Sequence, residues 1–220
     1  MAWGLWRIPE SELHLLPPVR GVDVLELGCG AARWSAALAR RGARPTGLDL
    51  SMAQLRAARR ELGRVSRVGL VRSAAERIPF RDRSFDLVFC DWGALTFADP
   101  HRALPECGRV IRPSGHLVFA AASPIRHVLH DVASDRLRRR LARAYFGLYR
   151  IEYSPRDPVE YTLTYGGWID LFRRAGFTVE RLVEPSAAGR PQSKYLSRAD
   201  QAVAREWPIE CLWRLRRNGE

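Results

Sequence analysis

Two glycines and one acidic residue near the start of the chain have the types and spacing of a nucleoside-binding site. Gly28 and Gly30 flank Cys29, and Asp49 follows Gly28 by 21 residues. A glycine turn lets the backbone approach a ligand where a Cβ atom would collide. An acidic side chain about 20 residues further along accepts hydrogen bonds from the two hydroxyls of a ribose. The spacing therefore indicates a site for a ligand that contains a ribose.

The residues around the glycine turn predict the elements that must position it. Residues 22–27 form a short apolar run with β-branched side chains, which is typical of a buried parallel strand. From Ala31 onward the apolar residues recur with helical spacing, and residues 43–48 form a second apolar strand that ends at Asp49. A strand, a glycine turn and a helix in this order open a nucleotide-binding βαβ unit.

Two residues argue against a dinucleotide as the ligand. The dinucleotide fingerprint has a third glycine at the position of Arg33, where it leaves room for a pyrophosphate. Glu26, just before the turn, is an acid and is poorly suited to facing phosphates. The ligand is expected to carry no phosphate at this turn, so a nicotinamide oxidoreductase is the least favoured enzyme class.

Four motifs occur in a fixed order within residues 20–122. They are Glu-Leu-Gly-Cys-Gly at 26–30, Gly-Leu-Asp-Leu-Ser at 47–51, Ala-Ala-Glu-Arg-Ile-Pro-Phe at 74–80 and Ser-Phe-Asp-Leu-Val at 84–88. Two later stretches, 112–119 and 168–177, extend the pattern to about residue 183. In order and spacing the set resembles the class I S-adenosylmethionine-dependent methyltransferases, and most closely their type 11 branch, which acts on small molecules.

The resemblance implies the fold and the cofactor. The fold is expected to be α/β, a three-layer Rossmann-like domain over residues 1–220 with a seven-stranded mixed sheet of order 3-2-1-4-5-7-6 and an antiparallel strand seven. The cofactor is expected to be S-adenosyl-L-methionine, which leaves as S-adenosyl-L-homocysteine. The implied cofactor-binding residues are Glu26, Gly28, Cys29, Gly30, Asp49, Leu50, Ala75, Glu76, Cys90, Asp91 and Trp92.

Periodicity and turn residues predict the other elements of the domain. Ser51 and Asp99 are suited to cap helices over residues 52–62 and 99–111. Further strands are predicted at 68–71, 85–89, 116–121, 177–183 and 210–216, and a further helix at 166–175. Ligands of such sheets bind outside the carboxyl ends of the central strands, so residues 90–95 should face the transferred methyl group.

Two segments outside the motifs are predicted to cover the acceptor. The insertion 123–165 has apolar residues on one face and arginines on the other over 135–149, which predicts an amphipathic helix within an aromatic cap. Residues 1–20 contain two tryptophans and a helix start, and in similar enzymes such a segment closes over the cofactor or the substrate. Either segment could instead only shield the sheet. The candidate substrate-binding residues are Trp6, Tyr145, Tyr149 and Tyr165.

A methyl sulfonium is already activated, so the transfer is a direct in-line displacement. Positioning and exclusion of water supply much of the catalysis, and no metal is expected. A hydroxyl or carbon acceptor requires a general base, for which Asp91, His101 and His127 are the candidates. A neutral amine acceptor requires none, so O-, N- and C-methylation all remain open.

Charge and composition admit other partners without favouring them. The net charge is +12, but Lys194 is the only lysine and the arginines are spread along the chain, apart from a cluster within 136–143. Nucleic acid is therefore an unfavoured partner.

The chain has neither an apolar run of the ~20 residues that span a bilayer nor a signal-peptide core, so a cytoplasmic protein without a membrane partner is expected. Four scattered cysteines argue against a disulfide framework or a zinc site.

The favoured function is methyl transfer to a small, aromatic or partly apolar metabolite, as in bacterial secondary metabolism. No Asn-Pro-Pro-Tyr or Asp-Pro-Pro-Tyr motif of enzymes that methylate nucleobase nitrogens is present. One alternative is an RNA methyltransferase that uses the predicted arginine-rich helix. The other is a non-catalytic cofactor-binding or interaction module. The oligomeric state is left open.

Overall fold

One seven-stranded sheet forms the centre of the computed structural model, which describes residues 1–63, 67–155 and 157–219. Its order is β6-β7-β5-β4-β1-β2-β3. Neighbours are parallel except that β7 runs antiparallel to both β5 and β6. The predicted fold class and strand order are confirmed. The strands are β1 (Asp23–Leu27), β2 (Arg44–Asp49), β3 (Gly69–Arg72), β4 (Phe85–Asp91), β5 (Ile111–Ala122), β6 (Phe177–Val183) and β7 (Glu210–Arg217).

Helices cover both faces of the sheet. They are α1 (Glu10–Leu13), α2 (Arg33–Arg40), α3 (Met52–Leu62), α4 (Ala94–Phe97), α5 (Pro100–Val110), α6 (Pro124–Leu129), α7 (Tyr165–Arg174) and α8 (Arg198–Ala204). Alternate residues of β4 point to opposite sides, so Val88 joins a buried cluster with α5 and α7, whereas Phe89 joins a second cluster with α2, α8 and the N-terminal segment.

Local signals set the helix starts, as the sequence predicts. The Ser51 hydroxyl accepts a hydrogen bond from the Gln54 amide at 3.3 Å and caps α3. The Asp99 carboxylate accepts one from the His101 amide at 2.9 Å, and Pro100 is the first residue of α5.

The fifth strand begins earlier than predicted. β5 pairs with β4 from Ile111, although the strand is predicted to begin at residue 116. The register shifts between the Phe85–Ile111 pair and the Leu87–His116 pair, and Ser114 has a φ of +64°. Residues 112–115 thus form a bulge within one continuous strand.

The predicted amphipathic helix over 135–149 is wrong. Arg136–Leu137 is instead a short strand that pairs antiparallel with His130–Asp131. The Ala142 amide then donates to the Val128 carbonyl at 2.7 Å instead of to a partner four residues back. The arginines three and four positions apart would also repel one another on a helix. Turns and bends occupy the rest of this stretch.

Short ribbons, not long helices, make up the segments outside the sheet. The insertion 123–165 contains α6, the ribbon just described and a second one between Arg150–Ile151 and Glu160–Tyr161. At the N-terminus, Ala2–Trp3 pairs with Ile8–Pro9 before the single turn of α1.

None of the helices in the described residues is both long and apolar enough to cross a bilayer.

Replacing Leu25 by Ala should lower the free energy of unfolding by about 2–5 kcal/mol, because its fully buried side chain in β1 would leave a cavity. Urea denaturation measures this loss. Leu141→Ala is the matched control, since Leu141 is 65% exposed and its truncation should change the stability by less than about 0.5 kcal/mol. Equal losses in the two variants would contradict the placement of β1 at the centre of the core.

Candidate active site

The turn after β1 lies against the turn after β4 with no space for a side chain. Gly28 has a φ of +70°, and a Cβ atom there would collide with the backbone nitrogen of Ala94. On the other side, a Cβ atom on Gly93 would lie 2.6 Å from the Leu27 carbonyl oxygen. Both glycines are therefore required for the two turns to meet.

Strand β2 holds the glycine turn in place through backbone hydrogen bonds. The Gly28 and Cys29 amides both donate to the Leu48 carbonyl, at 2.8 and 3.0 Å. The Asp49 carboxylate accepts from the Gly30 amide at 2.9 Å and from the Ser51 amide at 2.8 Å. The acid at the end of β2 is thus fixed against the glycine turn.

A cavity of about 570 Å³ opens at the carboxyl ends of β1, β2, β3 and β4. We call it the glycine-turn cavity. Its rim includes two exposed apolar side chains, Leu50 and Phe97. It brings together the predicted residues Gly28, Gly30, Asp49, Leu50, Ala75, Glu76 and Trp92. Gln54 and Ser73 also line it and were not predicted.

A larger concavity, of about 760 Å³, lies between residues 137–142 and α8. It shares no lining residue with the glycine-turn cavity and contains none of the sequence motifs. Ligand sites of parallel sheets lie at the carboxyl ends of the strands, so the smaller cavity is the candidate active site.

Three predicted cofactor residues stand behind the cavity wall. Glu26 is buried, and one of its oxygens accepts from the Ser35 amide at 3.0 Å and the Ser35 hydroxyl at 2.5 Å. Burial raises the pKa of Glu26 to about 8. Cys29 lies against Gly47, and the Cys90 sulfur accepts from the Leu95 amide at 3.4 Å. Glu26 therefore orients α2, and the two thiols fill space beneath the turns.

Asp91 connects the end of β4 to the N-terminal segment. Its carboxylate accepts from the Gly4 amide at 2.9 Å and from the Trp34 indole nitrogen at 3.2 Å. Burial raises the pKa of Asp91 above its ordinary value. Asp91 does not line the cavity, although the next residue, Trp92, does.

Glu210 is a further buried acid at this end of the sheet and is not among the predicted site residues. One oxygen accepts from the Leu5 amide at 2.8 Å and from the Trp92 indole nitrogen at 2.9 Å. Burial raises its pKa to about 7. The only signal in the sequence was an acid at the start of the terminal strand, next to the apolar residues 211–213, because its partners are 205 and 118 residues away.

The two candidate histidines lie away from the cavity wall. His101 is exposed on α5, with its ring 5.5 Å from that of Tyr149. His127 is buried in α6, and its Nδ1 is 2.6 Å from the Tyr153 hydroxyl. Burial, reinforced by Arg126 and a second arginine, holds the pKa of His127 well below its ordinary value.

The four candidate substrate-binding residues do not form one cluster in the structure. The Tyr145 hydroxyl accepts from the Tyr165 amide at 2.9 Å, and the Tyr165 hydroxyl donates to a glutamate. The Tyr149 hydroxyl donates at 2.8 Å to Asp99, immediately after the cavity residues 97–98. Trp6 is 3% exposed within the cluster on the other face of the sheet. Tyr149 is therefore the candidate that the structure brings nearest to the cavity rim.

Replacing Gly28 by Ala should raise the dissociation constant of S-adenosylhomocysteine at least about tenfold, because the added methyl group separates the two turns. Calorimetry measures it. Gly21→Ala is the matched control, since Gly21 has a φ of +74° and nothing within 4 Å of an added Cβ. It introduces similar backbone strain and should leave binding unchanged. Tight binding by a folded Gly28→Ala variant would contradict the close approach.

Glu26→Gln should flatten the dependence of stability on pH. The pKa of Glu26 is raised from 4.5 to about 8, so the folded protein holds a proton that the unfolded chain releases. Its stabilising contribution is present at low pH and is lost as the pH rises from about 4.5 to 8, by at most about 1.4 kcal/mol per pH unit. Urea denaturation at three values of pH measures the difference between variant and wild type, which cancels the slope that Glu210 contributes to both. Parallel curves would contradict the buried, protonated Glu26.

Comparison with known proteins agrees with this geometry. Residues 25–119 match the family model described as a methyltransferase domain. A demethylmenaquinone methyltransferase of Clavibacter sepedonicus is 36% identical over 119 residues, which are 54% of this chain and 48% of that protein. A ubiquinone biosynthesis O-methyltransferase of Alkalilimnicola ehrlichii is 32% identical over 132 residues, 52% of this chain and 53% of that protein. The chain thus spans about half the length of these curated relatives.

The fold is shared over nearly the whole chain. The crystal structure of an S-adenosylmethionine-dependent methyltransferase from Mesorhizobium loti superposes with a TM-score of 0.78. The match covers 97% of this chain and 100% of that one, at 23% identity. Residues 25–119, from β1 to β5, thus match the methyltransferase-domain family, and the whole chain shares the fold of this S-adenosylmethionine-dependent methyltransferase.

Proposed function

We propose that the protein transfers a methyl group from S-adenosylmethionine to an oxygen, nitrogen or carbon atom of a small metabolite. The observation that carries the proposal is the meeting of the glycine turn and Asp49 on the wall of one 570 Å³ cavity. Gly30 also lines this cavity, and the nearest atom to a Cβ there would be the Gln54 side-chain oxygen at 3.8 Å, so the backbone of the turn is open to a ligand at this position.

Each predicted cofactor contact has a distinct role in this proposal. Asp49, whose carboxylate is already fixed by two amides, accepts hydrogen bonds from the ribose hydroxyls. Ala75 and Glu76, in the loop after β3, lie beside the adenine, and Leu50 covers its apolar face from the rim. Glu26 acts indirectly, because its hydrogen bonds to Ser35 hold α2 against the glycine turn.

When bound, S-adenosylmethionine supplies a methyl group that is already activated on a positively charged sulfur. The chain has to place the acceptor in line with it and exclude water. Trp92 forms the wall at this end, and its indole is fixed by Glu210. The N-terminal segment closes behind it through the Gly4–Asp91 and Leu5–Glu210 hydrogen bonds.

The positions of the candidate bases favour an acceptor that ionises easily. His101 and His127 do not line the cavity, and both oxygens of Asp91 already accept hydrogen bonds. A phenol, a quinol or a neutral amine needs the least help with its proton. The names of the matched relatives, which include a demethylmenaquinone methyltransferase and a ubiquinone biosynthesis O-methyltransferase, support a small ring compound of this kind.

The RNA alternative loses its main support in the structure. The arginine-rich helix on which it relied is not formed. Arg138 pairs with Asp131 and Arg139 with Glu206, each at 2.7 Å, so part of the positive charge is already balanced. A module that only docks a partner and binds no cofactor would have no physical need for a glycine turn fixed against an acid.

Replacing Asp49 by Ala should raise the dissociation constant of S-adenosylhomocysteine at least tenfold, because charge-assisted hydrogen bonds contribute about 1.5–3 kcal/mol each. Calorimetry measures the constant. Asp23→Ala is the matched control, since Asp23 begins β1 at the end of the strand opposite the glycine turn. Unchanged binding by Asp49→Ala would remove the ribose assignment.

The transfer itself is tested with methyl-labelled S-adenosylmethionine. Phenols, quinols and amines are offered alongside total RNA at low and high salt. We expect label in a small molecule, and much less of it with Asp49→Ala. Label in RNA, with a steep dependence on salt, would instead favour the RNA alternative.

A further inference from the structure

Arg126 projects from α6 at the carboxyl edge of the sheet. β4 ends at Asp91 and the neighbouring strand β5 at Ala122, so Trp92 and α6 emerge side by side. The Trp92 amide donates to the Ala120 carbonyl at 3.1 Å, which ties the two strand ends together. This register places Arg126 beside the residue that walls the methyl-transfer end of the cavity.

The guanidinium of Arg126 is held in position without an ionic partner. Its central carbon lies 5.3 Å from the centre of the Trp92 ring, a cation–π contact. Its Nε atom is buried and hydrogen-bonds to nothing within the described ranges. Over the same ranges, no carboxylate lies within 4 Å of it. A half-buried guanidinium whose Nε lacks a hydrogen-bond partner among the described residues is suited to bind an anion from outside the chain.

Glu160 carries a carboxyl group that interacts with the Arg126 guanidinium without forming an ion pair within 4 Å. It is half-buried in the second ribbon of the insertion, and one of its oxygens, Oε2, is buried without a hydrogen bond to any residue that the structure describes. Burial raises the pKa of Glu160, and Arg126 partly opposes that shift, so the two charges interact across the space between them. Arg143 adds a second positive charge behind them, with its guanidinium 5.8 Å from the Tyr153 ring.

We propose that Arg126 is a specificity-determining residue that binds a carboxylate of the methyl acceptor beside Trp92. This rests on the methyl-transfer function proposed above and names its substrate class, an organic acid with a methylatable group. The planar fork of an arginine matches a carboxylate with two parallel hydrogen bonds. Glu160 offsets part of the positive charge of Arg126 and Arg143, so the small net charge that remains matches a singly charged carboxylate better than a doubly charged phosphate.

The test measures binding to the full chain saturated with S-adenosylhomocysteine. The probes are 4-hydroxybenzoate and its neutral analogue 4-hydroxybenzamide, titrated by calorimetry at a fixed pH of about 8, where 4-hydroxybenzoate carries its carboxylate charge. We expect the acid to bind at least about tenfold tighter than the amide, and Arg126→Gln to bring the ratio close to one. A purely structural role of Arg126 would weaken acid and amide equally.

Three further variants test which property of this region gives the preference for the acid over the amide. Arg126→Lys keeps the charge without the fork and should retain part of the preference. Glu160→Gln removes the counter-charge and should strengthen binding of the acid. Arg143→Gln is the matched control, because this arginine contacts Tyr153 instead of Trp92 and its loss should change the ratio less than about threefold.

Several outcomes would overturn the assignment. They are equal binding of acid and amide, tighter binding of phenyl phosphate than of the acid, and no binding of the acid at about 10 mM. S-adenosylhomocysteine binding is measured first and does not involve Arg126. Its failure would overturn the methyl-transfer function and this inference together, whereas its success with an indifferent Arg126→Gln would overturn the inference alone.

Discussion

The close approach of two backbone turns is the constraint on which the rest of the site depends. Gly28 and Gly93 allow the turns after β1 and β4 to touch, and no side chain fits between them. The contact brings the ends of two adjacent strands to one point, which fixes where Asp49 and Trp92 stand relative to each other. The shape of the cavity therefore follows from backbone geometry before any side chain acts on a ligand.

Buried acids then fix the elements around that contact. Glu26 holds α2, Asp91 holds the N-terminal segment, and Glu210 holds both that segment and the Trp92 indole. Each accepts hydrogen bonds that offset part of the free energy lost when a carboxyl group is removed from water. Burial raises their pKa values, so each carboxyl group ionises less readily than an exposed one, and the hydrogen bonds it accepts position the elements around the site.

Local sequence patterns predicted the sheet and most of the residues that line the glycine-turn cavity, but they did not predict the structure of the covering segments. The helix Met52–Leu62 and the strand Phe177–Val183 match their predicted ranges, because their caps and periodicity are local. The predicted helix over 135–149 failed because its amides bond to distant elements, for example Leu137 to Asp200 at 2.8 Å. Glu210 was missed for the same reason, since only the folded chain brings it to Trp92.

The residues that could be predicted from the sequence are those assigned to the cofactor. The residues assigned to the acceptor could not be predicted in this way. The family model ends at residue 119, within β5, and the glycine-turn cavity is built almost entirely from residues before that point. Arg126, Glu160 and Glu210 all lie beyond it, in α6, in the second ribbon of the insertion and in β7. The cofactor is the same for every member of such a family, so its contacts recur as local motifs. The acceptor differs between members, so contacts to it need not recur as local motifs. The contact proposed for Arg126 instead depends on where the covering segment places this side chain beside Trp92.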